Sequence, residues 1–293
     1  MRFLISNDDG VNAPGLLALY EALSKVGEVV VVAPDTEQSG CASALHISQP
    51  LYTHTLTSGF IAVNGTPADC IYLALHELYR DSEFDCVITG INAGANVGQD
   101  VLFSGTFGAA LTAQLFGIPA IATSLVGGVL QSNCPDDLNR YAMAAEQIVK
   151  LLTETSILKV CKSLPYHVLN VNIPNVSSAE KIKGRKITCL AHDRIARPVH
   201  RVTDPRGREA YWLSLRKNNV LGVETSAIVD PKLLSSETAL EGSTSAIQRL
   251  NNDGVVAHDT DSQVVAAGYI SLSPVKLHHT PVTALDKFSA LEW

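Results

Sequence analysis

Four short β-rich runs separated by segments with helical periodicity occupy the first 125 residues, and that alternation restricts the chain to a parallel sheet covered by helices. The runs fall at residues 3–6, 29–33, 86–89 and 120–124. Between the first two, Leu16, Leu19, Tyr20 and Leu23 recur at the spacing of a helix with one buried face. A second helix is predicted from Thr66-Pro67-Ala68-Asp69, which supplies a cap, a proline at the first helical position and an acid in the first turn. A third starts near Ser104-Gly105-Thr106 and stops at Gly117, with Pro119 beyond.

Glycine, asparagine and paired acids cluster over residues 127–137 and read as a boundary, followed by a helix carrying Tyr141, Ala145, Ile148, Val149 and Leu152. Residues 167–173, closed by Pro174, read as another strand of the same sheet. Strand-like pieces at 186–190 and 210–215 flank the turn sequence Asp204-Pro205-Arg206-Gly207, which predicts a long hairpin arm. Its Tyr211 and Trp212 need cover, and exchange with a neighbouring subunit is one solution. Residues 218–261 read as loop with a short helix near 244–250, and 267–273 as a last strand. The expected division is a core over 1–180 and an arm, extended loop and oligomerisation region over 181–293.

Composition narrows the function. A net charge of -7 and no basic run argue against a polymeric nucleic-acid partner. No apolar stretch approaches the roughly 18 residues that span a bilayer, and the first strand begins at residue 2 without a leader pattern, so a cytoplasmic protein is expected. Six scattered cysteines without a C-x-x-C pair read as free thiols rather than structural zinc, with a nucleophilic cysteine the minority case.

Asn7-Asp8-Asp9-Gly10 closes the first strand. In an open α/β sheet the ligand crevice lies outside the carboxyl ends of the strands. Two carboxylates about 4 Å apart repel by roughly 4 kcal/mol at an effective dielectric near 20, which a bridging cation relieves. Three further loops converge on this edge, at residues 33–40, 90–98 and 103–106. Oxygen atoms of Asp8, Asp9, Ser39 and Asn92 form a hard donor set suited to Mg2+ or Mn2+ and lacking the His or Cys that zinc prefers. The start of the third helix offers free N–H groups with the hydroxyls of Ser104 and Thr106 beside them, an anion site. Each motif also has a plainer reading: a surface Asp-Asp-Gly turn, turn residues at Ser39 and Asn92, an N-cap at Ser104, and a loop-shaping Asn96 in place of an anion donor. None of the nine histidines sits at a metal spacing with the acids. A cation between Asp8 and Asp9 facing an anion-binding helix start suits hydrolysis of a phosphate monoester, with Asp8 or Asp9 orienting water or taking its proton. An aspartyl phosphate is the competing route.

Asn7-Asp8-Asp9-Gly10, Ala33-Pro34-Asp35, Ser39-Gly40, Gly65-Thr66-Pro67-Ala68-Asp69-Cys70, Gly90-Ile91-Asn92-Ala93-Gly94-Ala95-Asn96 and Ser104-Gly105-Thr106, in register, resemble the SurE family of stationary-phase survival proteins. Asp204-Pro205-Arg206-Gly207-Arg208, Tyr211-Trp212 and Gly268-Tyr269-Ile270-Ser271 extend the likeness through the second half. The resemblance implies a Rossmann-like three-layer sandwich with a mostly parallel sheet and a C-terminal β-hairpin arm. It implies one divalent ion on Asp8, Asp9, Ser39 and Asn92, and phosphate near Asn96, Ser104, Gly105 and Thr106. It further implies 5'- and 3'-nucleotidase activity, sometimes activity on short polyphosphate, in homodimers or homotetramers that exchange C-terminal elements. Two departures stand out: Gln38 occupies a position where relatives usually carry arginine, and residues 220–256 exceed the family norm. A nucleotide sensor without turnover is the alternative that Gln38 raises.

Overall fold

The computed structural model describes residues 1–130, 134–192, 199–213 and 259–276. The chain divides into two units, one of residues 1–191 with 258–293 and one of residues 192–257.

In the first unit, β1 (Arg2–Ser6), β2 (Glu28–Pro34), β5 (Cys86–Ala93), β6 (Ala120–Leu125) and β7 (His167–Ile173) are all parallel, with β1 between β2 and β5. β1 and β6 are continuous apolar or small-residue runs because helices cover both sheet faces: Phe3, Leu4 and Ile5 are each 0% exposed. On one face, α1 (Pro14–Leu23), α4 (Pro135–Thr153) and α5 (Ile157–Ser163) bury Leu16, Leu19, Leu23, Tyr141 and Ile148 against Phe3, Ile5 and Ile88. On the other, α2 (Pro67–Leu73), continued by a π-helical turn over Ala74–Leu78, and α3 (Gly105–Leu115) pack on Leu4, Val87 and Ala122. α1, α2, α3 and α4 are the predicted helices, α5 was not expected, and the N-terminus of α2 carries the capping box expected of Thr66 and Asp69. The start of α1 is tight: a Cβ on Gly15 would lie 2.0 Å from the Ile91 carbonyl oxygen.

Among the described residues the sheet has nine strands, in the order β3-β4-β2-β1-β5-β6-β7-β11-β8. β11 is the last strand expected at 267–273, and three others were not expected in the sheet. β3 (Thr53–Thr55) and β4 (Ile61–Val63) extend the β2 edge; at three residues each they are too short to show a period. β8 (Arg185–Ile187) and β11 (Ile270–Lys276) extend the opposite edge, β11 antiparallel to β7 and parallel to β8. α6 (Asp261–Ala266) leads into β11. The core sheet therefore takes in residues on both sides of position 180 and returns for residues 259–276. The boundary read at 127–137 divides nothing in the sheet, since β6 and β7 on either side of it are paired neighbours.

In the second unit, β9 (Val199–Thr203) and β10 (Glu209–Leu213) form an antiparallel hairpin around Asp204-Pro205-Arg206-Gly207. The turn is as predicted, and Asp204 Oδ1 accepts from the Arg206 and Arg208 amides. The expected first strand at 186–190 is corrected: residues 185–187 belong to the main sheet, because Ile187 pairs with Leu272 there. The helix expected at 244–250 lies outside the described residues.

Candidate functional site

The chain runs from β1 to β2 on one side and then reaches β5 on the other, so the topological switch point falls between β1 and β5, where such sheets bind ligands. Asp8 and Asp9 stand there. Gly10, at φ 104°, turns the chain immediately after them, and Asn7 Nδ2 donates to the Gly10 carbonyl at 3.0 Å.

Asp8 is only 4% exposed. Burial pushes its carboxyl above the usual carboxylate range, opposed by donors that favour the charge: the Thr106 hydroxyl and the backbone N–H groups of Asp8, Thr106 and Gly105. Thr106 Oγ1 donates to Asp8 Oδ1. The start of α3 is therefore aimed at Asp8, and a Cβ on Gly105 would lie 2.8 Å from Asp8 Cβ. Asp9 Oδ2 accepts from the Ala93 amide at 2.9 Å. Burial first, then the charge of Asp8, push Asp9 up to about 7, and Glu37 adds to the effect. Among the described residues neither acid forms an ion pair with Lys, Arg or His. Two adjacent carboxylates held in this state form a site for positive charge.

The other expected residues are placed as follows. Asn92 is the penultimate residue of β5, with Nδ2 donating to the Gly94 carbonyl at 3.0 Å, beyond a shift in the β5–β6 register between Thr89 and Asn92. Ser39 is exposed and its hydroxyl donates to Glu37 Oε1 at 2.8 Å. Gln38 is half-buried, its Nε2 donating to Thr36 Oγ1 at 3.3 Å and its backbone amide to the Asp8 carbonyl at 2.7 Å. Ser104 is the N-cap of α3, accepting from the Phe107 amide at 3.0 Å. Asn96 is buried, and its Nδ2 donates to Ser124 Oγ at 3.0 Å.

Sequence reasoning missed three neighbours. Glu37 is an acid beside Asp9, legible as a charge in the second loop but not as a contact. Cys41 lies against the start of α3, within 2.7 Å of the Cβ position of Gly105; burial and the charge of Asp8 push its thiol up to about 11, away from the thiolate form. Asn7 Oδ1 is buried without a hydrogen-bond partner, an acceptor left over beside the two acids. Size does not mark the site. A cavity of about 470 Å³ opens near Phe84, Pro119 and Tyr166, which precede β5, β6 and β7 at the opposite edge of the sheet.

Among the described residues no group of three His, Cys, Asp or Glu side chains is placed to hold a metal. A donor set of two acids, an amide and a hydroxyl is of a different kind. Its chemistry fits a hard divalent cation: oxygen atoms only, two adjacent carboxylates short of positive charge, and an orphaned acceptor next to them. No described helix is long and apolar enough to cross a membrane, and all six cysteines are free thiols.

The family model described as "Survival protein SurE" matches residues 3–197. A protein of Psychrobacter cryohalolentis named 5'-nucleotidase SurE is 66% identical over 291 residues, 99% of each chain. One of the same name from Acinetobacter baylyi is 39% identical, covering 98% of this chain and 97% of its own. The crystal structure of the SurE protein from Aquifex aeolicus superposes with a TM-score of 0.70 at 30% identity, covering 99% of this chain and 98% of that one. With motifs, sheet order and end-to-end relatives in agreement, the chain belongs to the SurE family.

Proposed function

We propose that this chain is a 5'-nucleotidase that removes phosphate from nucleoside 5'-monophosphates, using one Mg2+ or Mn2+ held by Asp8, Asp9, Asn92 and Ser39. The observation that carries the reading is the Asp8–Asp9 pair: two adjacent, largely buried carboxylates, both pushed upward, at the switch point of the sheet and facing the start of α3. The names of the relatives supply the substrate class.

A divalent cation bound there supplies the positive charge that offsets the acids and draws in the phosphoryl oxygens. The residues divide the remaining work. Thr106 and the first amides of α3 hold Asp8 as a fixed, charged ligand. Asp9 Oδ2 accepts from the Ala93 amide and Oδ1 accepts no bond among the described residues, which suits Asp9 to take the proton from the attacking water. The Ser104 hydroxyl, which accepts from Phe107, still has its own proton to donate to phosphate, together with the α3 start at Gly105 and Thr106. Asn96 supports that side by shaping its loop. Nucleoside 3'-monophosphates and short polyphosphate fit the same scheme, since only the phosphoryl group is gripped.

The hairpin supports a homo-oligomer with exchanged C-terminal elements: Tyr211, Trp212 and Leu213 are 66%, 69% and 68% exposed, more apolar surface than a lone hairpin leaves uncovered. Free thiols accord with a cytoplasmic setting.

The test is phosphate release from AMP and GMP with Mn2+ or Mg2+, with and without chelator. Turnover that needs the metal and falls at least about a hundredfold in Asp9→Asn supports the enzyme. Nucleotide binding without release overturns it in favour of a sensor, the outcome that Gln38, lacking the usual positive charge, would favour.

A further inference from the structure

We propose that Asp261, on α6, is a positioning residue for phosphate binding, acting through the backbone amide of Gly98. The proposal rests on the reading that phosphate is received at the start of α3.

Asp261 is 0% exposed and its carboxylate is held by three backbone donors. Oδ2 accepts from Gly98 at 2.7 Å, across 163 residues of sequence, while Oδ1 accepts from Ala191 at 2.9 Å and from Ser262 at 2.8 Å. A buried charge gripped by several N–H groups makes a short, directional tether. Gly98 is seated closely as well: at φ 58°, a Cβ there would lie 2.7 Å from the Ala191 carbonyl oxygen.

Gly98 is the junction between the two phosphate-side elements. Two residues before it, Asn96 is clamped by β6 and β7: its amide donates to Asn172 Oδ1, and its carbonyl accepts from Asn170 and Asn172. After it, a 3-10 turn over Gly98–Leu102 leads to Ser104, whose amide donates to the Val101 carbonyl, and so into α3. The β7 amides fix the near end of this loop. Among the described residues Asp261 supplies the acceptor for the Gly98 amide, and Gly98 is the residue from which the chain is launched toward Ser104. Asn92 and Ala93, on the cation side, lie before the clamp on Asn96, and Asp8 and Asp9 stand on the loop after β1, so loss of the tether should disturb the anion site far more than the cation site.

Asp261→Asn keeps the shape but turns an N–H toward donors. In that variant the KM for AMP and the inhibition constant of inorganic phosphate should rise together about tenfold, with kcat changed less than about threefold and Mn2+ affinity within about twofold. A purely structural role would lower the active fraction, reducing kcat and leaving KM and the phosphate constant alone; that result overturns the proposal, as does a parallel loss of Mn2+ affinity. If the variant does not fold, hydrogen exchange on the wild-type protein decides. Phosphate with Mn2+ should slow exchange in the segments 98–104 and 259–266 together, and slowing in 98–104 alone refutes the tether. A wild-type protein that releases no phosphate from any nucleotide would refute the functional reading instead, and exchange with inorganic phosphate would still judge Asp261.

Discussion

Asp9→Asn in the cation-free protein should stabilise the fold at pH 8, which sets it apart from most changes at buried polar positions. Burial and the charge of Asp8 raise Asp9 from the ordinary value of 3.8 to about 7. Below pH 4 the folded and unfolded chains both carry the proton, and nothing is lost. Between pH 4 and 7 the unfolded chain releases it while the folded chain keeps it, so stability falls as pH rises and levels off above 7. Each tenfold step in proton affinity is worth about 1.4 kcal/mol, giving a loss of at most on the order of 4 kcal/mol, less where water reaches the outer oxygen. Asparagine occupies the same space, and its carbonyl can still accept from the Ala93 amide. The assay is thermal unfolding of both proteins with chelator at pH 4 and pH 8, read as the difference between them so that other acids cancel. At about 2–4 °C per kcal/mol for a chain of this size, the variant should gain roughly 10 °C at pH 8 and little at pH 4. Adding Mn2+ should reverse the order, because only the wild type gains binding energy from the ion. A variant less stable than wild type at pH 8 without metal would refute the reasoning, since the two acids would then be a structural pair.

Thr106→Val removes a fully buried hydroxyl that donates to Asp8; urea unfolding should show a loss of about 1–3 kcal/mol with an unchanged m-value. Gly15→Ala places a methyl 2.0 Å from the Ile91 carbonyl oxygen, and calorimetry should show a loss of about 1–3 kcal/mol or more as α1 is pushed off the sheet. Burial works to raise Asp69, yet hydrogen bonds from His46 and Thr66 outweigh it and leave the acid lowered. Its contribution is thus present at neutral pH and lost as pH falls through the carboxylate range. Asp69→Asn should accordingly lower Tm at pH 7, by the worth of a cap at about 1 kcal/mol, and far less at pH 3.

The parts of the fold that were legible share one property: each is written within a few residues of itself. Phe3, Leu4 and Ile5 advertise a strand buried on both faces, and Leu16, Leu19 and Leu23 a helix on one. Thr66, Pro67 and Asp69 spell a helix start that the structure reproduces bond for bond. β3 and β4 were not legible because three residues cannot display a period. The first hairpin strand was misplaced because residues 186–190 and 199–203 are both β-rich, and only pairing with Leu272 assigns the former to the sheet. At the site, the two acids and the start of α3 were legible as chemistry. Their partners were not: that Thr106 serves Asp8, that Asn96 turns inward to Ser124, and that Ser39 meets Glu37 all depend on rotamers set by packing.

By itself the sequence determined that a parallel α/β sheet would end its first strand on adjacent acids, because strand periodicity, helix caps and the placement of charge are local and cost little to read. The tertiary structure alone decided which groups those acids meet and how residues 259–276 rejoin the core. Bonds such as that between Asp261 and Gly98 span more than half the chain, and closing a loop of that length leaves no periodic trace in the residues it joins.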